Sequence, residues 1–261
     1  SMSPPTNRWL MEQLIMIDAA KRASAKRITA VSPFYPYARQ DKKHKGREPI
    51  SAKLVADLYK AAGADRVMSV DLHAAQAQGF FDGPVDHLWA MPVLVDYVKQ
   101  RIDPEKVAVV SPDAGRIRVA EKWAQQLGNC PLAFVHKTRD TSRPNVAVAN
   151  RVVGDVRGRQ CVIVDDLIDT GGTIAEAVRV LFAEGAEEVI IAATHGVLSD
   201  PAPERLAACG ASEVIITDTL PVPPSKQFKT LTVLPVAPLL ARGIHEVLED
   251  GSVTSMFDGE A

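Results

Sequence analysis

The segment Cys161-Val162-Ile163-Val164-Asp165-Asp166-Leu167-Ile168-Asp169-Thr170-Gly171-Gly172-Thr173-Ile174 restricts the fold more than any other part of the chain. Four apolar residues run straight into two acids, then into a short Asp-Thr-Gly-Gly-Thr loop and the start of a helical pattern. A continuous apolar strand of this kind is buried on both faces, as in the centre of a parallel sheet. Glycines let the backbone approach a bound group, and the start of a helix turns its unpaired N–H groups toward an anion. Thr170 and Thr173 add hydroxyl donors, and acids paired at a strand end suit vicinal sugar hydroxyls or a metal. A capped β-turn would account for Gly-Gly-Thr alone, but not for two adjacent acids at the mouth of a buried strand.

The remaining periodicity agrees with an α/β fold. Trp9, Leu10, Leu14 and Ile17 mark an amphipathic helix, and Arg27–Val31 reads as a buried strand ended by Pro33. Ser51 is the expected N-cap of a helix over Ala52–Ala62, with Gly63 as its stop. Further strands are expected at Val67–Val70, Val107–Val110, Leu132–Val135, Val189–Ala193, Val214–Ile216 and Leu231–Leu234. Helices are expected near 92–101, 117–127, 173–184, 203–209 and 237–248. Such alternation predicts mainly parallel sheets flanked by helices. Gly63-Ala64, Gly185-Ala186 and Gly210-Ala211 each join a helix end to a strand start, either as a common loop solution or as the mark of an internal duplication.

Composition narrows the function classes. With 30 basic and 32 acidic residues the net charge is −2, so bulk charge does not point to nucleic acid. No apolar run reaches membrane-spanning length, and no secretory signal is evident. Cys130, Cys161 and Cys209 are widely spaced and read as core thiols of a cytoplasmic protein. Ser1-Met2 resembles the remnant of a cleaved tag, so the first residues carry no functional weight.

Several strand ends carry further chemistry. Tyr37-Ala38-Arg39-Gln40-Asp41-Lys42-Lys43 is dense in cations, which could also be a solvated loop. Asp71-Leu72-His73 precedes Gln76-Ala77-Gln78-Gly79 and the acids Asp82 and Asp86; a histidine among carboxylates is a metal candidate. Ser111-Pro112-Asp113-Ala114-Gly115 closes a strand with an acid, and His136-Lys137-Thr138-Arg139-Asp140 places cations before a polar stretch suited to a mobile clamp. Residues from about Thr138 to Ala147 offer few apolar anchors and are expected to be mobile without ligand.

Taken in order and spacing, these elements resemble ribose-phosphate pyrophosphokinases of class I, in wording nearest the actinobacterial branch, over essentially all of 4–261. Type I phosphoribosyltransferases share only the Asp165–Thr173 element. The resemblance implies two phosphoribosyltransferase-like domains, at 1–90 and 91–246, with 247–261 returning to the first. It implies transfer of pyrophosphate from ATP to the anomeric hydroxyl of ribose 5-phosphate, giving phosphoribosyl pyrophosphate and AMP for nucleotide, histidine and tryptophan biosynthesis.

Roles follow residue by residue. Lys137 and Arg139 match the flap cations that act on the transferring group. Arg39 and Gln40 match ATP contacts. Arg139, Asp165, Asp169, Thr170, Gly171, Gly172 and Thr173 match the ribose 5-phosphate site. His73 and Asp113 match magnesium-linked positions, with Asp71, Asp82 and Asp86 around them. Arg47, Gln78, Ser252, Val253 and Thr254 match parts of a regulatory phosphate and ADP site, where Ala75 replaces a serine of some relatives. Mg²⁺, ATP as co-substrate and a homo-oligomer, a hexamer of dimers, are implied; no nucleic acid or membrane partner is. Family members also carry an N-terminal stretch with adenine contacts, so the chain reads as shortened there. The rival readings are a type I phosphoribosyltransferase, which would not need the Arg-Gln-Asp-Lys-Lys and Asp-Leu-His elements, and a non-catalytic regulatory relative.

Overall fold

The computed structural model describes residues 4–43, 45–138 and 149–257. The chain forms two compact units. The first takes the residues up to Ala90, Thr219–Pro221 and the segment from Pro235 onward; the second takes Met91–Asp218 and Val222–Leu234.

The first unit is built on a parallel sheet in the order β1 (Thr29–Ser32), β2 (Arg66–Val70), β3 (Val85–Leu88). Helices α1 (Thr6–Arg22) and α2 (Ser51–Ala62) bury Leu10, Ile17, Val55, Ala56 and Tyr59 in one cluster with Ala30 and Val67. Ser51 is the first helical residue rather than the cap: Ile50 occupies the cap position, with no side-chain hydrogen bond there. Gly63 ends α2 as expected, in the left-handed region at φ +114°, and gives its N–H to the Tyr59 carbonyl. Gly185 and Gly210 repeat this geometry at φ +93° and +90°, so a shared steric demand suffices to explain the three Gly-Ala pairs. The C-terminal helix α7 (Ala237–Leu248) also belongs to this unit, which resumes at Pro235, twelve residues before the expected return at 247. A Cβ at Gly243 would stand 3.1 Å from Leu88 and 3.4 Å from Met68, so the small residue lets α7 lie close on β2 and β3. Past α7, the Phe257 ring meets Trp89 at 6.1 Å between centroids, tilted by 37°.

The second unit contains a seven-stranded sheet in the order β10 (Leu231–Leu234), β9 (Glu213–Thr217), β8 (Glu188–Gly196), β7 (Gln160–Ile168), β4 (Val107–Ser111), β5 (Leu132–Thr138), β6 (Ala149–Val153). All neighbours are parallel except β5 and β6. Helices α3 (Met91–Val98), α4 (Ile117–Gln126), α5 (Gly172–Ala183) and α6 (Ala202–Ala208) accompany it. Every residue of β4 is buried, as is Cys161–Val164 of β7, which is what their unbroken apolar runs require. The chain passes from β4 to β5 on one side, while β7 to β10 extend on the other. The sheet therefore reverses direction between β4 and β7, and the crevice beyond such a reversal is where parallel α/β sheets bind ligands. Two strands escaped the sequence reading. β3 is four residues long with Asp86 and His87 inside it, and β6 is an antiparallel edge strand.

Candidate active site

Three adjacent strands deliver chemistry to this crevice. At the end of β4, Ser111 donates to the Asp113 carbonyl at 2.6 Å, and Asp113 Oδ1 accepts the Gly115 N–H at 2.8 Å. This caps a 3₁₀ turn over Ala114–Arg116, which leads into α4. Arg116 then reaches the neighbouring strand: its Nη2 lies 2.7 Å from Asp166 Oδ1 and its Nε 3.4 Å from Asp165 Oδ1. The Asp166 N–H also donates to Asp165 Oδ1, at 2.8 Å. The three side chains are only 19%, 16% and 10% exposed for Arg116, Asp165 and Asp166. Burial raises the Asp165 carboxyl far above its ordinary range, the adjacent Asp166 raises it further, and Arg116 opposes both. Two carboxylates sharing one cation leave acceptor capacity, which suits a pair of sugar hydroxyls.

Beyond β7, Gly171 holds φ +68° and α5 begins at Gly172. Its first-turn N–H groups have no partner within the helix. Arg205 on α6 donates from Nη1 to the Thr170 carbonyl and stands 3.3 Å from where a Cβ on Gly172 would lie. Loop, helix start and cation together can hold an anion. The third strand is β5, which carries Lys137; its backbone pairs with Asn150 of β6. Arg139 and the stretch expected to be mobile, apart from its first residue Thr138, lie outside the described residues.

The first-unit candidates are arranged differently. Arg39 is exposed, and the Gln40 carbonyl accepts the Ala52 N–H at 3.2 Å as α2 begins. Asp41 is buried and accepts from Gln76 at 2.8 Å, which ties the cation-rich turn to the segment after His73. Asp71 accepts the Ala90 N–H at 3.2 Å, and the Leu72 N–H donates to His87 Nε2 at 2.9 Å, so β3 pins the Asp71–His73 turn. The acids expected around His73 are engaged elsewhere. Asp86 is 8% exposed and takes two hydrogen bonds from Arg66 at 2.8 and 3.0 Å, because a carboxylate buried in a strand needs a cation. Asp82 has a side chain 98% exposed, 3.8 Å from Lys60. Among the described residues no group of three or more His, Cys, Asp or Glu side chains is placed to hold a metal ion. Arg47 is exposed, Gln78 is half-buried, Val253 is buried, and the hydroxyls of Ser252 and Thr254 lie 2.8 Å apart.

Arg116 and Arg205 were not singled out by sequence. Arg116 lies just past the Asp113 turn, but its partners follow only from β7 being the neighbour of β4. Arg205 sits in an ordinary helical segment 35 residues from Thr170, and nothing local marks it.

A mainly parallel sheet with an acid pair and a glycine loop at its reversal point defines a domain of the phosphoribosyltransferase-like α/β fold. The family model described as "Phosphoribosyl transferase domain" matches residues 93–224, and the one described as "N-terminal domain of ribose phosphate pyrophosphokinase" matches residues 1–63. The chain is 67% identical to the ribose-phosphate pyrophosphokinase of Corynebacterium efficiens, over 100% of this chain and 80% of that protein. It is 69% identical to that of Bifidobacterium longum, over 97% of this chain and 75% of that protein. The crystal structure of phosphoribosylpyrophosphate synthetase from Mycobacterium smegmatis superposes with a TM-score of 0.90 at 65% identity, over 95% of this chain and 80% of that one. The chain belongs to the ribose-phosphate pyrophosphokinase family.

Proposed function

We propose that the chain transfers the β,γ-pyrophosphoryl group of ATP to the anomeric hydroxyl of ribose 5-phosphate. The O1–Pβ bond forms, the bond between Pβ and the oxygen of the AMP leaving group breaks, and phosphoribosyl pyrophosphate and AMP result. The observation that carries this reading is the Asp165–Asp166 pair and the Asp169–Thr173 loop at the sheet reversal, in a chain of this family. Asp169, Thr170, Gly171, Gly172 and Thr173 would hold the 5-phosphate, and Asp165 with its neighbour the ring hydroxyls. Lys137 and Arg139 would neutralise the group in transfer, and Arg39 and Gln40 would contact ATP. Phosphoryl transfer of this type rests on positioning and charge neutralisation and needs no covalent nucleophile.

Asp113 and His73 are each proposed as magnesium-linked residues of their own unit. Asp113 commits one carboxylate oxygen to its own turn. Mg²⁺ takes one or two protein carboxylates and completes its shell with water and substrate phosphates, and the second Asp113 carboxylate oxygen is of the donor type that the ion takes. When bound, the ion would supply charge neutralisation on the polyphosphate. Arg47, Gln78, Ser252, Val253 and Thr254 remain the proposed effector site for phosphate or ADP. A homo-oligomer in the cytoplasm completes the reading; no helix among the described residues is long and apolar enough to cross a membrane.

Incubation with ATP, Mg²⁺ and ribose 5-phosphate should yield AMP and phosphoribosyl pyrophosphate in equal amounts, with no AMP when the sugar is omitted. Release of ADP in place of AMP, or no sugar-dependent turnover, would overturn the reading.

A further inference from the structure

We propose that Arg205 is a positioning residue of the sugar-phosphate loop, whose guanidinium fixes the direction in which the loop's amide donors point. The inference rests on reading Asp169–Thr173 as the 5-phosphate site. Arg205 Nη1 donates to the Thr170 carbonyl, and Nη1 and Cζ stand 3.3 and 3.9 Å from the position of an added Cβ on Gly172. An added Cβ on Gly171 would likewise face α6, at 3.4 Å from Leu206 Cγ and 3.6 Å from Ala202 Cβ. One side of the loop is therefore backed by Ala202, Arg205 and Leu206.

The Thr170–Gly171 peptide is trans, and a trans peptide points its C=O and N–H in opposite directions. With the Thr170 carbonyl held toward α6, the Gly171 N–H is turned away from it, to the side on which the proposed site would take the anion. Glycine does not enforce this orientation by itself, because it tolerates either sign of φ and offers no steric barrier to rotation of the peptide. Released, the carbonyl could swing outward and present its negative oxygen to the phosphate. Arg205 opposes that rotation with a charge-assisted hydrogen bond. Its positive charge behind the loop adds to the attraction felt by an anion in front.

The test is calorimetric titration of Arg205→Met, Arg205→Lys and Thr173→Ala with ribose 5-phosphate and, separately, with ATP. Steady-state kinetics and unfolding midpoints are measured alongside. Methionine keeps the aliphatic packing of the arginine stem and removes the donor. Arg205→Met should weaken ribose 5-phosphate binding by about tenfold or more and raise its KM in parallel. Its kcat, its ATP affinity and its unfolding midpoint should stay near native values. Arg205→Lys, which retains a charge and a donor, should recover part of the affinity. If Arg205→Met binds the sugar phosphate normally while Thr173→Ala is impaired, the positioning role falls and the loop assignment stands. If both variants bind normally, or the native chain does not bind ribose 5-phosphate, the loop assignment falls as well.

Discussion

Arg116 reaches Asp166 across the reversal point of the seven-stranded sheet, Nη2 to Oδ1 at 2.7 Å, so a residue that follows β4 holds a residue of β7. The same guanidinium lies 3.4 Å from Asp165. A buried ion pair of this kind is costly to break from one side only, because the remaining charge keeps its burial and loses its partner. Arg116→Leu should therefore destabilise the protein by about 3 kcal/mol, at the low end for a broken buried pair because the acids can take up a proton instead. Arg116→Lys should fall between, since an ammonium lacks the planar fork that reaches both acids at once. Urea unfolding of the two variants measures this directly; a loss below about 0.5 kcal/mol for Arg116→Leu would mean the pair carries no net stability.

Asp165 sets a second expectation, on pH. Its folded-state carboxyl is held up, to about 8 from an ordinary 3.8, first by burial and then by Asp166. The proton belongs to the pair as much as to either acid. Between those two values the unfolded chain binds fewer protons than the folded one, so stability falls as pH rises through the window and is greatest at its acid end. Asp165→Asn should flatten this slope and raise the ligand-free unfolding midpoint at pH 8 by several degrees, while changing it little at pH 5. A parallel slope in the variant would show that other groups govern the dependence.

Most of the second unit was legible because its strands are buried on both faces and its helices follow at regular spacing. The runs at β4, β7, β8 and β9 read correctly for that reason, and the glycine loop after β7 stands out from its residues alone as a candidate anion site. β3 was not legible, since Asp86 and His87 interrupt its apolar pattern, and the Arg66 pairing helps make a buried aspartate tolerable there. The acids around His73 looked alike in sequence, yet Asp86 is buried against Arg66 and Asp82 is solvent-exposed. Side-chain partners that depend on sheet order, as those of Arg116 do, leave no local signal. The cation on Thr170 was hidden for the same reason.

The loop itself supplies a third test. Gly172 lies outside the left-handed region, so a branched side chain there is tolerated by the backbone, unlike at Gly171 with φ +68°. The obstacle is steric: a Cβ would come within 3.3 Å of Arg205 Nη1, and the γ-methyls of valine would crowd the loop further. Gly172→Val should keep the fold and weaken ribose 5-phosphate binding by about tenfold or more, roughly 1.4 kcal/mol. Titration of a folded variant that shows unchanged affinity would remove the loop from the phosphate site.

The last test separates catalysis from binding at Lys137. This residue lies near the end of β5, the neighbour of β4, whose end leads into the Asp113 turn, and its backbone pairs with Asn150. A cation at that place would act on the group in transfer, where charge is redistributed in the transition state. Its contribution should then be larger in the transition state than in the ground state, and removing it should lower kcat more than affinity. Lys137→Ala should reduce kcat by about 10²-fold or more, roughly 3 kcal/mol, in line with the loss of one preorganised charge stabiliser. The dissociation constants for ATP and ribose 5-phosphate should move much less. The backbone pairing between β5 and β6 does not depend on the side chain, so the unfolding midpoint should hold near its native value. Steady-state kinetics combined with equilibrium binding distinguish the outcomes. A variant with near-native kcat and weakened ATP binding would make Lys137 a binding residue and remove it from the chemical step.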